Sequence, residues 1–186
     1  MNLNDRIRRQ PKQSSHSAGG PPLCASLPWI RLRGKIRRQL YGFPGSSSSL
    51  TVAQDLVFLY FVGIQVVVVH GGGKAVTKEL ENRGLEATFI DGLRVTDAQT
   101  IGVVDEVLNG KVNAEVAEFV SSYDCEVKRL PGKEILHCQK LNQEPDLGFV
   151  GSITKVNTAP VQQALDQGLM PIISSTAADD RGSVIM

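Results

Sequence analysis

The chain of 186 residues has few aromatic residues, few cysteines and no long apolar run. Aromatic residues make up 5% of the chain, and its basic N-terminal part lacks the interleaved aromatics of a nucleic-acid-binding surface. The longest apolar run, residues 56–69, is interrupted by Gly63 and Gln65 and is shorter than the roughly 20 residues of a transmembrane helix. We therefore expect neither nucleic acid nor a membrane as a partner.

Cysteine and histidine are also scarce. Cys24, Cys125 and Cys138 form no C-x-x-C pair, and an odd number leaves one thiol without a disulfide partner. This pattern is typical of a reducing compartment. The three histidines are too scattered to form a metal site by local spacing. We expect a cytoplasmic protein without a resident metal.

Charge is unevenly distributed, although the net charge is only +1. Residues 1–40 contain nine Lys or Arg and one Asp, a balance of +8, so the remaining residues sum to −7. Residues 1–28 also contain four prolines and a Ser/Gly cluster without periodicity, which predicts a disordered basic tail. Because the tail is rich in Ser and Arg and poor in acids, a plastid transit peptide is the alternative interpretation.

The most informative stretch is a run of β-branched residues followed by glycines and a helical pattern. Val66–Val69 predicts a strand buried on both faces, His70 and Gly71–Gly73 follow, and Lys74–Arg83 predicts a helix. Glycine lets the backbone approach a ligand closely, and the first N–H groups of a helix have no intrahelical acceptor. The stretch predicts an anion-binding turn that is neither a Walker loop nor a G-x-G-x-x-G loop.

Helices and strands alternate on both sides of this turn. Before it, Thr51 and Gln54 predict a capping box at the start of a helix that ends at Gly63. After it, residues 85–90 predict a strand and Asp91–Gly92 a turn. The alternation predicts an α/β fold, a sheet with helices on both faces.

The second half of the chain continues the alternation of helices and strands, except for one segment of short strands. Thr96 and Gln99 predict a second capping box, and the helix behind it is expected to break at Asn109–Gly110. Residues 125–156 predict an antiparallel hairpin rather than another parallel strand. The remaining expected elements are a helix between Pro160 and Gly168, a buried strand at Met170–Ser174 and a turn at Asp180–Gly182.

Arg94 and His70 are the side chains that could complete a ligand site at the glycine turn. Arg94 could form a salt bridge with a protein carboxylate, or its guanidinium fork could bind a ligand carboxylate. His70 could act as an acid or base or could anchor the backbone, and we favour the anchor. The amides of Gly72 and Gly73 together with Arg94 predict a site for a small dianionic acid.

Five motifs follow one another along the chain: His70–Gly73 (HGGG), Asp91–Asp97 (DGLRVTD), Asn109–Asn113 (NGKVN), Leu147–Gly151 (LGFVG) and Pro171–Ile173 (PII). In this order they resemble the N-acetylglutamate kinases, which belong to the amino acid kinase family. The resemblance divides the chain into the basic tail, residues 1–28, and a partial amino acid kinase domain, residues 29–186.

The resemblance implies a three-layer αβα sandwich with a mostly parallel open sheet and a β-hairpin excursion. It implies an enzyme that uses ATP with Mg²⁺ to phosphorylate the side-chain carboxylate of N-acetyl-L-glutamate in arginine biosynthesis. It assigns the substrate to Gly72, Gly73 and Arg94, with His70 and Gly71 in support. It also implies a homo-oligomer.

Two departures from the family pattern lead us to expect that this polypeptide alone is inactive. The family's first strand ends in a lysine that stabilises the transferring phosphoryl group, and the corresponding position here is Leu40. The family's nucleotide-binding half would follow Met186. We therefore expect a truncated chain that holds the acetylglutamate-binding half and largely lacks the nucleotide site.

Two other functions stay open. One is the arginine-binding, kinase-like domain of an N-acetylglutamate synthase, a protein of the same superfamily, and the intact HGGG turn argues against it. The other is a non-catalytic remnant that acts only as an interaction module.

Overall fold

The computed structural model describes residues 47–186, with side chains from residue 54 onward. The basic tail, Leu40 and Cys24 lie outside the described residues. The described helices are α1 (Ser47–Phe61), α2 (Gly73–Asn82), α3 (Ala98–Asp105), a π-helix (Glu106–Val112), α4 (Asn113–Ser121), a 3₁₀ turn (Gly132–Glu134) and α5 (Ala159–Asp166). The described strands are β1 (Val68–His70), β2 (Phe89–Ile90), β3 (Leu93–Arg94), β4 (Val127–Leu130), β5 (Leu136–Lys140), β6 (Gly151–Val156), β7 (Met170–Ser174), β8 (Ala177–Ala178) and β9 (Val184–Ile185). Within residues 47–186, every helix is too short or too polar to cross a bilayer.

A parallel three-stranded sheet, in the order β1-β7-β4, carries the central apolar residues. Its register aligns Val68 with Ile172 and Ile172 with Arg129. Helices α1 and α4 pack on the face that presents Val68 and Ile172, and Val161 of α5 packs near Ile173 on the other face. The chain is thus an α/β protein whose parallel sheet has helices on both faces, which confirms the predicted fold class.

A second sheet, in the order β6-β5-β8-β9, contains the antiparallel hairpin of β5 and β6. The hairpin excursion is confirmed, but the expectation that residues 125–156 add no parallel strand is wrong. β4 lies in this segment and pairs parallel with β7. It stands at the edge of the sheet formed by the described residues, and Lys128 and Arg129 are exposed while Leu130 is buried. A charged centre is compatible with an edge strand, which explains why the sequence pattern concealed it.

The strand before the glycines is shorter and less buried than expected. Val68 is 1% exposed, whereas Val69 on the opposite face is 52% exposed. Within residues 47–186, β7 is the sole strand that pairs with β1. The prediction of burial on both faces is therefore wrong. Four consecutive valines cannot reveal which face the helices cover.

Neither helix begins at the capping box that the sequence predicts. The chain is already helical at Ser47, so Thr51 lies inside α1. At α3 the N-cap is Asp97, whose carboxylate accepts a hydrogen bond from the Thr100 amide at 2.7 Å. The Thr96 hydroxyl instead donates to the Arg94 carbonyl, and Thr96 is fully buried. Asp is a better N-cap than Thr, and the burial of Thr96 favours the same choice.

The predicted helix break at Asn109–Gly110 is wrong, because a π-helix joins α3 to α4 without interruption. Leu108 and Val112 of this segment are buried, and the Asn109 amide donates to the Thr176 hydroxyl at 3.1 Å. An interior glycine costs a helix only about 1 kcal/mol. The burial and tertiary hydrogen bonds of this segment outweigh that cost.

The boundaries that depend on local backbone geometry agree with the sequence. Gly63, Gly84 and Gly168 adopt positive φ values of 85°, 70° and 75° after α1, α2 and α5. Asp91 and Gly92, with φ of 50° and 81°, form the turn between β2 and β3. A left-handed conformation favours glycine wherever it occurs, so these signals are readable without knowledge of the fold.

Gly132 lies where the chain leaving β4 passes the end of β7. A Cβ atom there would lie 2.1 Å from the Ser174 carbonyl oxygen and 2.3 Å from that of Thr176. We expect Gly132→Ala to lower the free energy of unfolding by about 1–3 kcal/mol, because backbone segments would have to move apart. Urea denaturation of the purified chain measures this change.

Gly102→Ala is the matched control for Gly132→Ala. Gly102 lies in α3, and a Cβ atom there meets nothing within 4 Å. We expect it to raise the free energy of unfolding by about 0.5–1 kcal/mol, because alanine favours helix. Equal stability of the two variants would contradict the close approach at Gly132.

Candidate functional site

The glycine turn connects the end of β1 to the start of α2. Gly72 is the N-cap of α2, and a Cβ atom on it would lie 2.5 Å from Leu108 Cδ2. Its φ of −176° is open to any residue, so packing against the π-helix is what requires glycine here. A Cβ atom on Gly73 would meet nothing within 4 Å. The turn is thus packed on its Gly72 side and open on its Gly73 side.

Among the described residues, no side chain caps the N-terminus of α2. The first intrahelical bond runs from the Val76 amide to the Gly72 carbonyl at 2.9 Å. The amides that precede Val76 have no carbonyl four residues earlier within the helix, and the helix dipole adds partial positive charge at this end. This end of α2 therefore suits an anion.

Arg94 is brought to the same place by the short hairpin of β2 and β3. Its side chain is 5% exposed, and Nη2 donates to the Gly73 carbonyl at 3.1 Å and to the Thr77 hydroxyl at 2.8 Å. The guanidinium lies over the Phe89 ring, 4.6 Å from its centroid. The sequence prediction that Arg94 joins the glycine turn agrees with this placement.

The other terminal nitrogen of Arg94, Nη1, is buried and has no hydrogen-bond partner within the described residues. No carboxylate in the described part of the chain forms an ion pair with Arg94 either. Burial lowers the pKa of the guanidinium, although arginine remains a cation at any physiological pH. A buried donor without a partner costs about 1–3 kcal/mol, and more when it is charged. An anionic ligand at Nη1 would remove that cost.

Thr77 is a site residue that sequence reasoning missed. Its hydroxyl donates to the Gly73 carbonyl at 2.9 Å and accepts from Arg94, so it ties Arg94 to the first turn of α2. The signal was available, because Thr77 lies four residues after Gly73 and therefore on the same face of the predicted helix.

His70 is 2% exposed at the end of β1, and both of its ring nitrogens have polar contacts. Nδ1 lies 3.1 Å from the Gly71 carbonyl oxygen, and Nε2 lies 3.0 Å from Nδ2 of Asn113. An amide nitrogen can only donate and a carbonyl oxygen can only accept. The arrangement therefore fits a neutral ring with its proton on Nδ1, which supports the anchoring interpretation.

Asn113, the last residue of the Asn109–Asn113 motif, is a second site residue that the motif itself does not reveal. It lies between Val112 and Val116 on an otherwise apolar helical face, and it is 1% exposed. Nδ2 of Asn113 also donates to the Ile172 carbonyl of the neighbouring strand at 3.1 Å. A polar side chain on an apolar helical face is the signal that could have identified it.

The segment that follows Arg94 is held by the Leu147–Gly151 motif. The Thr96 amide donates to the Leu147 carbonyl at 2.8 Å, and the Phe149 amide donates to the Thr96 carbonyl at 2.7 Å. A Cβ atom on Gly148 would lie 2.1 Å from the Thr96 carbonyl oxygen. Two motifs that are distant in sequence are thus joined by backbone hydrogen bonds. These bonds fix the end of the strand that carries Arg94.

The arrangement is suited to binding a carboxylate. It offers a buried guanidinium donor, uncapped helix amides and open space at Gly73. Within residues 47–186, no group of three or more His, Cys, Asp or Glu side chains could hold a metal ion.

Comparison with known proteins gives a consistent result. Residues 43–185 match the model of the amino acid kinase family. The acetylglutamate kinase of Thermoanaerobacter pseudethanolicus is 36% identical over 184 residues, which cover 95% of this chain and 60% of that protein. The acetylglutamate kinase of Clostridium kluyveri is 40% identical over 166 residues, covering 85% of this chain and 58% of that protein. This chain thus spans 58–60% of the length of these two relatives.

Solved structures share the fold. The structure of smu.665 from Streptococcus mutans UA159 matches with a TM-score of 0.67 and 25% identity, covering 72% of this chain and 55% of that chain. An N-acetylglutamate synthase from Neisseria gonorrhoeae, complexed with coenzyme A and N-acetyl-glutamate, matches with a TM-score of 0.59 and 22% identity. That match covers 72% of this chain and 31% of the synthase.

We expect His70 to stay neutral below pH 6.5, the ordinary pKa of histidine, with its proton on Nδ1. Burial lowers the pKa of His70, and the Gly71 hydrogen bond opposes this only in part. The unfolded chain gains its proton at about pH 6.5. The free energy of unfolding is therefore higher above pH 6.5. It falls as the pH drops from 6.5 through the lower pKa of His70 in the folded state. The ¹⁵N chemical shifts of histidine-labelled protein report the protonation state of both ring nitrogens. A doubly protonated His70 ring in the folded chain at pH 6.5 would contradict the prediction.

Proposed function

The chain belongs to the amino acid kinase family, and from that premise we propose that residues 70–94 contribute to the acetylglutamate site of an acetylglutamate kinase. Gly72, Gly73 and Arg94 contact the substrate, and His70 and Gly71 hold the turn. The observation that carries the proposal is Nη1 of Arg94, which is buried beside the first turn of α2 and has no partner among the described residues.

N-acetyl-L-glutamate fits the chemistry of this site because it is a dianion at neutral pH. Its two carboxylates accept hydrogen bonds and cannot donate them, which matches a guanidinium and backbone amides. Two curated relatives that are 36% and 40% identical carry the name acetylglutamate kinase, which supports this choice of substrate.

The proposed reaction of the whole protein transfers the γ-phosphoryl group of ATP, bound with Mg²⁺, to the side-chain carboxylate of acetylglutamate. A carboxylate oxygen forms the new bond to phosphorus while the bond to ADP breaks. The role of this site is to hold the acceptor still, since positioning supplies much of such catalysis. We assign no residue of this chain to ATP or Mg²⁺. We also propose that the whole protein forms a homo-oligomer. Its proposed compartment is the cytoplasm, with a plastid as the alternative.

We expect Arg94→Ala to weaken the binding of N-acetyl-L-glutamate by roughly 10- to 100-fold, because charge-assisted hydrogen bonds contribute about 1.5–3 kcal/mol. Isothermal titration calorimetry on the full chain measures the affinity. The control is Arg83→Ala at the opposite end of α2, where the guanidinium forms exposed ion pairs with Glu79 and Glu106. That variant is expected to bind like the wild type.

Gly73→Ala provides a second variant that leaves Arg94 in place. The added methyl group meets no protein atom within 4 Å, so the chain is expected to fold normally. The methyl group would occupy the space in front of α2 and weaken acetylglutamate binding by about 10-fold or more.

Binding of L-arginine instead of acetylglutamate would favour the synthase-like domain. Binding of neither ligand would leave only the interaction module and would sink the proposal.

We also expect the 186-residue polypeptide to bind acetylglutamate without phosphorylating it. The position of the family's phosphoryl-stabilising lysine is occupied by Leu40, which lies outside the described residues. Loss of one such stabilising group costs on the order of 10²–10³ in rate. Trapping of acyl phosphate with hydroxylamine in the presence of ATP and Mg²⁺ tests this, and measurable ATP-dependent hydroxamate formation would contradict it.

A further inference from the structure

Arg129, on the edge strand β4, contacts two separate parts of the helical layer. Its Nε donates to Asn113 Oδ1 at 2.8 Å. Its Nη2 donates to the carbonyls of Asn109 and Gly110, at 2.9 Å and 3.2 Å. Within the described residues Arg129 forms no ion pair, so its hydrogen-bonding capacity is directed at an amide and two peptide carbonyls.

The contacts with Arg129 and with the Ile172 carbonyl together decide which way the buried Asn113 amide points. Because the Arg129 guanidinium can only donate, the atom of Asn113 that it contacts must be the oxygen. Nδ2 of Asn113 is then directed at two acceptors, Nε2 of His70 at 3.0 Å and the Ile172 carbonyl at 3.1 Å. A reversed amide would place a nitrogen against the guanidinium and an oxygen against the Ile172 carbonyl.

The orientation of Asn113 in turn decides where His70 carries its proton. Nε2 must accept from Asn113, so the proton of the neutral ring is on Nδ1, which donates to the Gly71 carbonyl at 3.1 Å. The Gly71 carbonyl and the Gly72 amide belong to one planar peptide unit. A hydrogen bond that holds the carbonyl therefore also fixes the direction of the Gly72 N–H.

We propose that Arg129 is a positioning residue for the glycine turn, and that it acts through Asn113 and His70 to set the orientation of the Gly71–Gly72 peptide. Nothing in the sequence motifs assigns this role to Arg129. Its consequence for acetylglutamate rests on the proposed function, whereas its effect on His70 and on the Gly72 amide does not.

The main test compares Arg129→Met with Arg129→Lys in the full chain. Methionine keeps an unbranched stem and removes every donor, and lysine restores one donor toward Asn113. The matched control is Lys128→Met, at the neighbouring exposed position of the same strand. Because Arg129 is itself exposed, all three variants are expected to fold, and urea denaturation monitors this.

The readouts are the ¹⁵N shifts of the His70 ring, the Gly72 amide resonance and the affinity for N-acetyl-L-glutamate. We expect R129M to populate the Nε2–H tautomer of His70, shift the Gly72 resonance and bind acetylglutamate about 2- to 10-fold more weakly, the effect of about one hydrogen bond. R129K is expected to restore the wild-type tautomer, and K128M to match the wild type throughout. A role confined to stability would lower the urea midpoint of R129M and leave the tautomer unchanged, which would overturn the proposal.

Asn113→Asp tests the middle of the relay. A carboxylate still accepts from Arg129 but cannot donate to Nε2 of His70, so we expect a proton on Nε2 in this variant. A ring that keeps its proton on Nδ1 alone would overturn the proposal. If the wild type fails to bind acetylglutamate while R129M alters the His70 tautomer, the proposed function fails and the positioning role stands. If the wild type binds and R129M keeps the wild-type tautomer and affinity, the positioning role alone fails.

Discussion

The close approach of Gly72 to the side chains of Leu108 and Val112 is the constraint on which the rest of the site depends. Any side chain at Gly72 would overlap Leu108 and lift the turn away from the π-helix. This movement would break the 3.0 Å contact between His70 and Asn113. It would also break the 3.1 Å hydrogen bond from Arg94 to the Gly73 carbonyl. One missing side chain thus allows polar contacts on both sides of the turn to form at once.

Those contacts hold the turn in chemically different ways. On one side the neutral His70 ring fixes a carbonyl, and on the other the cationic Arg94 fixes the carbonyl of Gly73. A neutral contact can be completely satisfied within the protein, as that of His70 is. The cation is not, because its second terminal nitrogen is buried and has no partner in the part of the chain that the structure describes. The desolvation cost at Arg94 is therefore one that an anionic ligand would offset, as the proposed acetylglutamate site requires.

The sequence predicted features that depend on a few neighbouring residues, and it failed where distant segments decide. Gly63, Gly84 and the Asp91–Gly92 turn follow from backbone sterics alone. Exposure of Val69 depends on which face the helices cover, and the choice of Asp97 over Thr96 as N-cap is favoured by the burial of Thr96.

The candidate site shows the same division. The glycines and Arg94 were predicted to lie together, and the structure brings them together. Thr77 and Asn113 were missed because each acts through a partner that is remote in sequence, Arg94 in one case and His70 in the other. Local spacing marks Thr77 and Asn113 as unusual helical positions, but only the folded structure shows that Arg94 and His70 are their partners.

The segment that the sequence marked as a break explains how the two sides of the site are coordinated. Val104 and Leu108, before and within the π-helix, pack with Val76 of α2, whereas Val116 and Val120 of α4 pack against the central sheet. A single unbroken helix that must serve two apolar clusters needs a change of rotation between them, and one wide π turn supplies it. The same turn directs the carbonyls of Asn109 and Gly110 toward Arg129. Gly110 therefore lies where the helix changes register. Because of this change, the same helix packs Leu108 against Gly72 and directs Asn113 to His70.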